Sequence, residues 1–216
     1  MKKYILFDLD GTIIDPKEGI TKSVAYALNK FGIEVDNLNE LCRFIGPPLK
    51  DSFMEYYNFS EDEAEKAITY YRERFSDIGL YENQVYKGFE DILISLKENN
   101  KVLIVATSKP TIFATKILEH FNLNNYFSFV SGSNLDGSRV KKSEVIKYAL
   151  ERNNIKDLSQ VIMIGDRKHD IYGAKEVGVE SIGVLYGYGD YEELNDSGAN
   201  YIVKNVEELR ELIINK

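Results

Sequence analysis

The feature that most constrains the fold of this chain is an alternation of short apolar runs with longer segments of helical spacing. Short apolar runs bounded by turn residues are typical of buried strands. We predict strands at residues 4–7, 102–106, 127–130, 161–164, 181–184 and 201–203. We predict helices near residues 88–98, 110–120, 142–152, 168–177 and 205–214. Such alternation builds βαβ units, so the sequence predicts an α/β fold with a doubly wound, Rossmann-like parallel sheet.

The strand pattern stops after the first strand, and apolar residues then recur only at helical spacing. Ser60 lies three residues before Glu63, which is the arrangement of a capping box and predicts a helix start. We expect this helix to run to about Ile78 and to end at Gly79, because glycine commonly follows a helix C-terminus. We therefore expect a core domain of residues 1–14 and 86–216, with a helical cap domain inserted at residues 15–85.

Charge and composition narrow the kinds of partner. The net charge is −8, and residues 15–85 carry 14 acidic against 8 basic side chains, so we expect no nucleic acid polymer as a partner. The first apolar run ends at Asp8, too early for a signal peptide, and no run approaches the roughly 20 residues of a membrane helix. We expect a cytoplasmic location and no membrane partner. The sequence leaves the oligomeric state open between a monomer and a homodimer.

Two carboxylates follow the first predicted strand. Asp8 and Asp10 are two residues apart and would point the same way if the strand continued, while Gly11 permits a tight turn. Ligands bind at the carboxyl ends of strands in open α/β sheets, and two close carboxylates repel each other unless a cation lies between them. Their hard oxygen atoms suit Mg²⁺. The alternative is an ordinary turn, in which Asp and Gly are common.

Polar residues also follow the second and the fourth predicted strands. Thr107 and Ser108 would place a hydroxyl and backbone N–H groups at a helix start, where phosphate binds. A plain N-cap with Pro110 as the first helical residue is the alternative. Asp166 and Asp170 are four residues apart and would share a helix face if the helix begins within this turn. A capped helix whose aspartates favour the helix dipole explains them equally well.

A basic pair, Lys141 and Lys142, lies at the start of the helix predicted near residues 142–152. A lysine in such a place is commonly only a surface charge. The stronger indication of a phosphoryl-transfer site is that these polar groups occur together. Three strands of one alternating α/β pattern are each followed by groups that phosphoryl transfer needs. These groups are carboxylates, a hydroxyl with N–H donors, and carboxylates again.

In this order, these segments resemble the four motifs of the haloacid dehalogenase superfamily. The resemblance covers nearly the whole chain and is carried by residues 7–12, Thr107, Lys142 and residues 165–170. The helical insertion matches the small cap that these enzymes carry between their first two motifs. Similarity is greatest to the phosphoglycolate phosphatase and bacterial 5′-nucleotidase-like branch, on residues 44–49, 136–139 and 186–189. Many relatives have proline after the motif lysine, but Ser143 follows here, which leaves Lys141 and Lys142 as alternatives.

The resemblance implies a Mg²⁺-dependent phosphate monoester hydrolase. Asp8 would be the nucleophile that forms an aspartyl phosphate, and Asp10 would protonate the leaving alkoxide and deprotonate the attacking water. Asp8, the Asp10 backbone carbonyl and Asp166 would hold Mg²⁺, and Asp170 would approach the metal through water or hold the lysine. The groups expected to bind phosphate or substrate are Gly11, Thr12, Thr107, Ser108 and Lys142 in the core, and Arg43, Gly46 and Lys50 in the cap. Surface charge or turn formation is the alternative role for the three cap residues.

Other proteins share this framework. A 2-haloacid dehalogenase needs neither Mg²⁺ nor an acid for the leaving group, so Asp10 and Asp166 argue against it. A sugar phosphomutase of the same superfamily retains Asp10, and the motifs alone do not exclude it. A receiver-type signalling domain also phosphorylates an aspartate on a doubly wound sheet, but it carries no helical cap at this position. The expected substrate is a small phosphorylated metabolite, with phosphoglycolate or a 5′-nucleotide favoured.

Overall fold

The structure, a computed structural model, describes residues 2–214. Its strands are β1 (Tyr4–Phe7), β2 (Ile14–Asp15), β3 (Gln84–Val85), β4 (Val102–Pro110), β5 (Phe129–Ser133), β6 (Val161–Gly165), β7 (Glu180–Val184) and β8 (Tyr201–Val203). Six form one sheet in the order β5-β4-β1-β6-β7-β8 with every neighbouring pair parallel, and β2 and β3 form a small second sheet. Along the chain this order is third, second, first, fourth, fifth, sixth, which is that of a doubly wound fold. The predicted fold class is confirmed.

Helices connect the strands of the large sheet. The α-helices are α1 (Lys17–Asn29), α2 (Leu49–Tyr57), α3 (Glu61–Phe75), α4 (Phe89–Glu98), α5 (Thr111–His120), α6 (Lys142–Arg152), α7 (Lys168–Val177), α8 (Tyr191–Asp196) and α9 (Val206–Ile214). Short 3-10 helices lie at Leu38–Phe44, Gly79–Tyr81, Asn124–Tyr126 and Leu158–Gln160. Within the core, α6 packs on α7 and α4 packs on α9. Over residues 2–214, no helix combines the length and apolar character needed to cross a bilayer.

Two strands differ from the sequence pattern by two or more residues. β4 continues through Pro110 instead of ending at residue 106, because its pairing with β5 is interrupted after Ala106 and then resumes where Pro110 lies opposite Ser133. The strand predicted at residues 127–130 is instead β5, which begins at Phe129 and ends at Ser133. Both differences involve the pairing of β4 with the edge strand β5.

Two helices also differ from the prediction. The helix that begins after Ser60 ends at Phe75, not at Ile78, and a 3-10 turn follows it. The sequence pattern does not predict α8, because its six residues bury only Leu194 and show no repeated apolar spacing. Periodicity therefore identifies the long helices of this chain and misses the short one.

The central strand of the large sheet is apolar on both faces. Ile5, Leu6 and Phe7 of β1 are fully buried, as expected for a strand with a parallel neighbour on each side. Leu6 belongs to a core cluster that also contains Ile104 of β4 and Met163 of β6. This packing fixes the carboxyl end of β1, from which the first carboxylate motif leaves.

The chain divides into two compact units, Met1–Asp15 with Val85–Lys216 and Pro16–Gln84. The first unit contains the large sheet. In the second unit α3 packs on α1 and α2. The start of α3 has the capping box, in which the Ser60 N–H donates to Glu63 over 2.8 Å and the Glu63 N–H donates to Ser60 Oγ over 3.3 Å. The assignment of these units as the core and cap domains, residues 1–14 with 86–216 and residues 15–85, stays a prediction.

Replacement of Leu6 by alanine is expected to lower the free energy of unfolding by about 2 to 5 kcal/mol, because it leaves a cavity in the core cluster that contains Ile104 and Met163. Urea denaturation followed by far-UV circular dichroism measures this change. Ile112→Ala on α5 is the control, since that side chain is 48% exposed and its loss should cost less than about 0.5 kcal/mol. Equal costs for the two substitutions would contradict the central role of β1.

Candidate active site

The carboxyl ends of β1 and β6 bring the first and last predicted motifs together. Phe7 lies opposite Ile164 in this parallel pair, and the Asp8 N–H continues the ladder by donating to the Ile164 carbonyl over 2.8 Å. These two strands flank the point where the strand order reverses, which is where open α/β sheets bind ligands. Asp8 and Asp166, each the first residue after its strand, therefore leave the sheet side by side.

Three carboxylates gather at this point. Asp8, Asp166 and Asp170 are 4%, 0% and 1% exposed, and one oxygen from each lies within 4.8 Å of the others. Asp166 Oδ1 is buried without a hydrogen-bond partner, and the other oxygen of Asp166 accepts the Tyr188 N–H over 2.8 Å. The Oδ1 atoms of Asp8 and Asp170 each lie 2.8 Å from the ammonium group of Lys142. Buried polar atoms are normally satisfied, so an orphaned Asp166 oxygen that faces two further carboxylates fits a divalent cation with hard ligands such as Mg²⁺.

The electrostatics of the cluster agree with that fit. Burial raises the pKa of Asp166 well above its usual range, and the neighbouring charges of Asp170 and Asp8 raise it further. Burial also raises the pKa of Asp170 to about 6, although the nearby Lys142 opposes the shift. Carboxylates so placed lose their charge unless a cation compensates them, and a bound divalent ion would return them to the ionised form.

Asp170 reaches the cluster in a way that the sequence did not indicate. Asp166 precedes α7 by two residues, so the two aspartates do not share a helix face, and that prediction is wrong. Asp170 lies in the first turn of α7, where it also accepts the Arg167 N–H over 3.1 Å. The cluster thus combines a strand end with the first turn of the following helix. Gly165 leaves room for it, because a Cβ there would lie 2.2 Å from the Asp170 carboxyl carbon.

Lys142 is the lysine that reaches this cluster. It is the first residue of α6 and is 6% exposed, and its Nζ lies 2.8 Å from Asp8 Oδ1, 2.8 Å from Asp170 Oδ1 and 3.1 Å from the Ala106 carbonyl. Burial lowers the pKa of Lys142, but the charges of Asp170 and Asp8 outweigh burial and hold it above its usual value. Lys141 is exposed and precedes the helix. Of the two sequence alternatives, the structure brings Lys142 to the carboxylates.

Asp10 is separated from the three-carboxylate cluster by its own partner. It is 8% exposed, and Lys109 Nζ donates to both of its carboxylate oxygens, over 2.8 and 2.6 Å. Burial raises the pKa of Asp10, while the Lys109 charge opposes that shift. The Asp10 side chain is thus not a member of the cluster, which leaves its backbone carbonyl as the predicted metal ligand. Sequence reasoning missed Lys109, because the strand before it was expected to end three residues earlier.

Thr107 and Ser108, which were expected at a helix start, lie within β4 instead. Thr107 is 2% exposed, and its Oγ1 accepts the Lys109 N–H over 3.2 Å. Ser108 is partly buried, and its carbonyl accepts the Ser133 hydroxyl over 2.8 Å. The alternative of a plain N-cap with Pro110 as the first helical residue is wrong, because β4 includes Pro110 and α5 begins one residue later.

Two further residues of the first motif lie in the turn after β1. Gly11 has a φ of +80°, and a Cβ there would lie 2.1 Å from the Asp166 Oδ2 atom, so only glycine fits. Thr12 is fully buried, and its hydroxyl has no hydrogen-bond partner. Gly11 therefore lies beside the cluster, and the role of both residues in phosphate binding stays a prediction.

A segment after β7 closes against the same carboxylate. The Tyr188 N–H donates to Asp166, and a Cβ on Gly187 or Gly189 would lie 2.4 or 2.0 Å from atoms of Asp166. The Tyr186 hydroxyl donates to the Thr12 carbonyl over 3.0 Å. In the sequence, residues 186–189 indicate only a resemblance to one branch of the family. Their geometry gives a reason for the two glycines, since larger residues would collide with Asp166.

The three predicted cap residues make contacts inside the second unit. The Arg43 guanidinium lies 4.3 Å from the centre of the Tyr56 ring. Lys50 forms ion pairs with Glu61 and Glu65 over 2.9 and 3.1 Å. Gly46 has a φ of +101°, which a turn at this position requires. Each residue thus has a local structural partner or conformation, and its role in substrate binding stays a prediction.

The chain is similar to several known proteins. The family model described as haloacid dehalogenase-like hydrolase matches residues 5–184. A 5′-nucleotidase of Pseudomonas aeruginosa is 44% identical over 209 residues, which cover 97% of this chain and 94% of that protein. The tyrosine-protein kinase PtkA of Mycobacterium tuberculosis is 33% identical over 98% of this chain and 72% of its own length. A phosphoglycolate phosphatase of Colwellia psychrerythraea is 28% identical over 96% of this chain and 95% of its own.

A solved structure is similar over the full length of the chain. The crystal structure of a predicted phosphatase from Clostridium acetobutylicum superposes with a TM-score of 0.97 at 55% identity, and the match covers 100% of both chains. The family model also spans most of the residues that carry the resemblance seen in the sequence. The predicted superfamily and the predicted enzyme class are therefore confirmed. This chain belongs to the haloacid dehalogenase-like hydrolase family, within its phosphatases.

Proposed function

We propose that this chain hydrolyses phosphate monoesters with Mg²⁺, through an aspartyl phosphate formed on Asp8. One observation carries the proposal: three buried carboxylates lie together at the reversal point of the sheet, where Asp166 has an unpartnered oxygen and Lys142 is ion-paired with the other two. A purely structural cluster of this kind would leave charges uncompensated, whereas a site for a cation and a phosphoryl group uses every one of these atoms.

Asp8 is the proposed nucleophile. It attacks phosphorus, so that a bond from its carboxylate oxygen to phosphorus forms while the bond from phosphorus to the ester oxygen breaks. The alcohol leaves with a proton from Asp10. Water then attacks the phosphorus of the aspartyl phosphate and gives a proton back to Asp10, which frees inorganic phosphate and restores Asp8. The burial of Asp10 favours its neutral form and thereby supports a role as acid.

The remaining core residues hold the phosphoryl group. Lys142 reaches Asp8 directly, so its ammonium is well placed to bind phosphoryl oxygens during the attack. The Thr107 and Thr12 hydroxyls and the Ser108 N–H are the further donors that we assign to this role, and Gly11 is the residue of the turn that lets the phosphoryl group approach. Asp8, Asp166 and the Asp10 carbonyl would hold Mg²⁺, with Asp170 next to it. When bound, the ion offsets negative charge on the phosphoryl oxygens and on the cluster.

The proposed substrate is a small phosphorylated metabolite, with a 5′-nucleotide or phosphoglycolate favoured by the relatives of those names. The helical second unit would act as the cap, with Arg43, Gly46 and Lys50 as substrate contacts. Release of inorganic phosphate from a panel of 5′-nucleotides, phosphoglycolate and sugar phosphates tests the proposal. The nucleotide and phosphoglycolate members of the panel separate the two favoured substrate classes.

A second candidate function keeps the same first step and changes the acceptor. One relative is a named tyrosine-protein kinase, and a sugar phosphomutase would use the same carboxylates. Both would pass the phosphoryl group to another hydroxyl in place of water. Stoichiometric free phosphate supports the hydrolase, while a phosphorylated acceptor without free phosphate supports a transferase. A stable phosphorylated protein with no turnover would indicate a signalling domain.

Asp8→Asn is expected to abolish turnover and to leave the fold intact, because the amide keeps the shape of the side chain but is no longer a nucleophile. Phosphate release and the melting temperature are measured together. Asp91→Asn, at an exposed position of α4, is the matched control and should retain full activity. Retention of more than about a few per cent of activity by Asp8→Asn would rule out the covalent step, since removal of a nucleophile normally costs several orders of magnitude.

Lys142→Ala should lower kcat by about 10² to 10³, which is the usual loss when one transition-state donor is removed. Lys141→Ala is the neighbouring control and should stay within a fewfold of the unchanged protein, because Lys141 is exposed. Steady-state phosphate release with a saturating alkyl phosphate gives both values. Circular dichroism checks that the two variants are folded. Similar small effects for both lysines would mean that neither contacts the phosphoryl group.

Chelation is expected to remove activity, and Mg²⁺ should restore it. Ca²⁺ should restore little, because it prefers more ligands at longer distances than Mg²⁺. Mg²⁺ should also raise the melting temperature of the folded protein, since it relieves repulsion among Asp8, Asp166 and Asp170. Asp166→Asn should weaken this thermal shift. Full activity in excess chelator, or a thermal shift unchanged by Asp166→Asn, would contradict a metal at the cluster.

A further inference from the structure

Lys109 is a buried lysine of the active site to which the mechanism above gives no role. Its Nζ donates to both oxygens of Asp10, over 2.8 and 2.6 Å, and the two side chains are only 6% and 11% exposed. A long lysine side chain seldom lies buried without a specific partner. The pair therefore has the geometry of a fixed contact and not of a surface ion pair.

The backbone of β4 is irregular at the position of Lys109. Ala106 lies opposite Ser131 and Pro110 lies opposite Ser133, so four residues of β4 advance against two residues of β5. Irregularities of this kind are common next to active sites, where they redirect a side chain. Here the irregular stretch contains Lys109.

Contacts with β5 hold the irregular stretch in place. The Ser133 hydroxyl donates to the Ser108 carbonyl over 2.8 Å. Gly132 lies so close that a Cβ on it would be 2.5 Å from the Lys109 carbonyl oxygen and 2.7 Å from the Thr111 nitrogen. Since both of these are backbone atoms, they could not move aside cheaply. The position of Lys109 is thus specified by the sheet and not by chance rotation of a flexible side chain.

The charges around Asp10 explain what the contact does. Asp8 repels the Asp10 carboxylate more strongly than Lys142 attracts it, so these two neighbours do not by themselves hold the carboxylate in place. Two hydrogen bonds from Lys109 fix both Asp10 oxygens and keep them apart from the Asp8, Asp166 and Asp170 cluster. Proton transfer requires such fixed placement, because an acid or base must lie within hydrogen-bond reach of the reacting oxygen.

We propose that Lys109 is a positioning residue, which holds the Asp10 carboxyl group where it exchanges a proton with the leaving oxygen and with the attacking water. The inference rests on the proposed function, since Lys109 acts through the proposed acid and base. Lys109 itself neither gains nor loses a proton in the reaction. Its loss should harm the steps that need Asp10 and spare those that do not.

The nature of the leaving group separates these steps. An alkyl phosphate releases an alkoxide, which needs the Asp10 proton, whereas p-nitrophenyl phosphate releases a stable phenolate, which does not. Rapid mixing with p-nitrophenyl phosphate gives the rate of the first step as a burst of nitrophenolate. Steady-state release of phosphate from glycerol 1-phosphate and from phosphoglycolate gives kcat and KM for alkyl substrates.

Lys109→Met keeps the side-chain length and removes the charge. We expect kcat on both alkyl phosphates to fall by about 10-fold to 10²-fold with KM changed less than about threefold, because only part of the acid–base contribution depends on placement. The nitrophenolate burst should keep its rate within about threefold, and turnover after it should be slow, because the second step also needs Asp10. Lys109→Arg should restore part of the alkyl activity. Lys116→Met, at an exposed position of α5, is the control and should change neither rate.

A double-mutant cycle separates positioning from general structural damage. In an Asp10→Asn background, Lys109→Met should cause no further loss in any step, because the residue through which Lys109 acts is already gone. Additive losses in the cycle would overturn the inference.

Two other outcomes would also overturn it. One is an equal loss in the burst and in alkyl turnover. The other is a rise in KM for phosphoglycolate alone, which would make Lys109 a substrate contact. If the unchanged protein shows neither a burst nor turnover, the proposed function itself fails; if it shows both and Lys109→Met matches it, only the role of Lys109 fails.

Discussion

The three buried carboxylates of Asp8, Asp166 and Asp170 repel one another, and the groups around them compensate that repulsion. Asp8 cannot move away from the other two, because the apolar strand before it is packed between two parallel neighbours. Asp166 is similarly fixed at the end of the adjacent strand. Within residues 2–214, Lys142 is the ammonium group that pairs with this cluster, and Lys109 pairs with Asp10. One ammonium beside three ionised carboxylates leaves a net negative charge, which favours the binding of a divalent ion.

The sequence predicted the sheet and most of the site for a clear physical reason. Strands such as Tyr4–Phe7 are apolar throughout because both of their faces are covered. The first polar residue after such a strand therefore marks where the strand ends. For this reason the sequence alone assigns Asp8 and Asp166 to the same edge of the sheet. The choice of Lys142 over Lys141 could not be made with the same certainty, since it depends on where α6 begins by a single residue.

The parts that sequence did not predict depend on contacts between distant segments. Lys109 follows a strand whose apolar run ends at Ala106, and nothing in the local pattern says that β4 continues past an irregular pairing. Asp170 joins the cluster from the first turn of α7, whereas Asp166 precedes that helix, so the two do not share a helix face. The contact of Tyr188 with Asp166 joins residues 22 positions apart. Periodicity carries no information about such contacts, because it reports which face is buried and not what lies against it.

The glycines at positions 187 and 189 have a consequence for how this protein can diversify. A Cβ on Gly187 would collide with the Asp166 side chain, and a Cβ on Gly189 would collide with the Asp166 backbone carbonyl. A Cβ on Gly11 would likewise collide with the Asp166 carboxylate. The wall of the site around Asp166 thus consists of bare backbone, which cannot be remodelled one residue at a time. Descendants of this chain that come to act on new esters would have to change other surfaces. The backbone around Asp166 would stay the same in them.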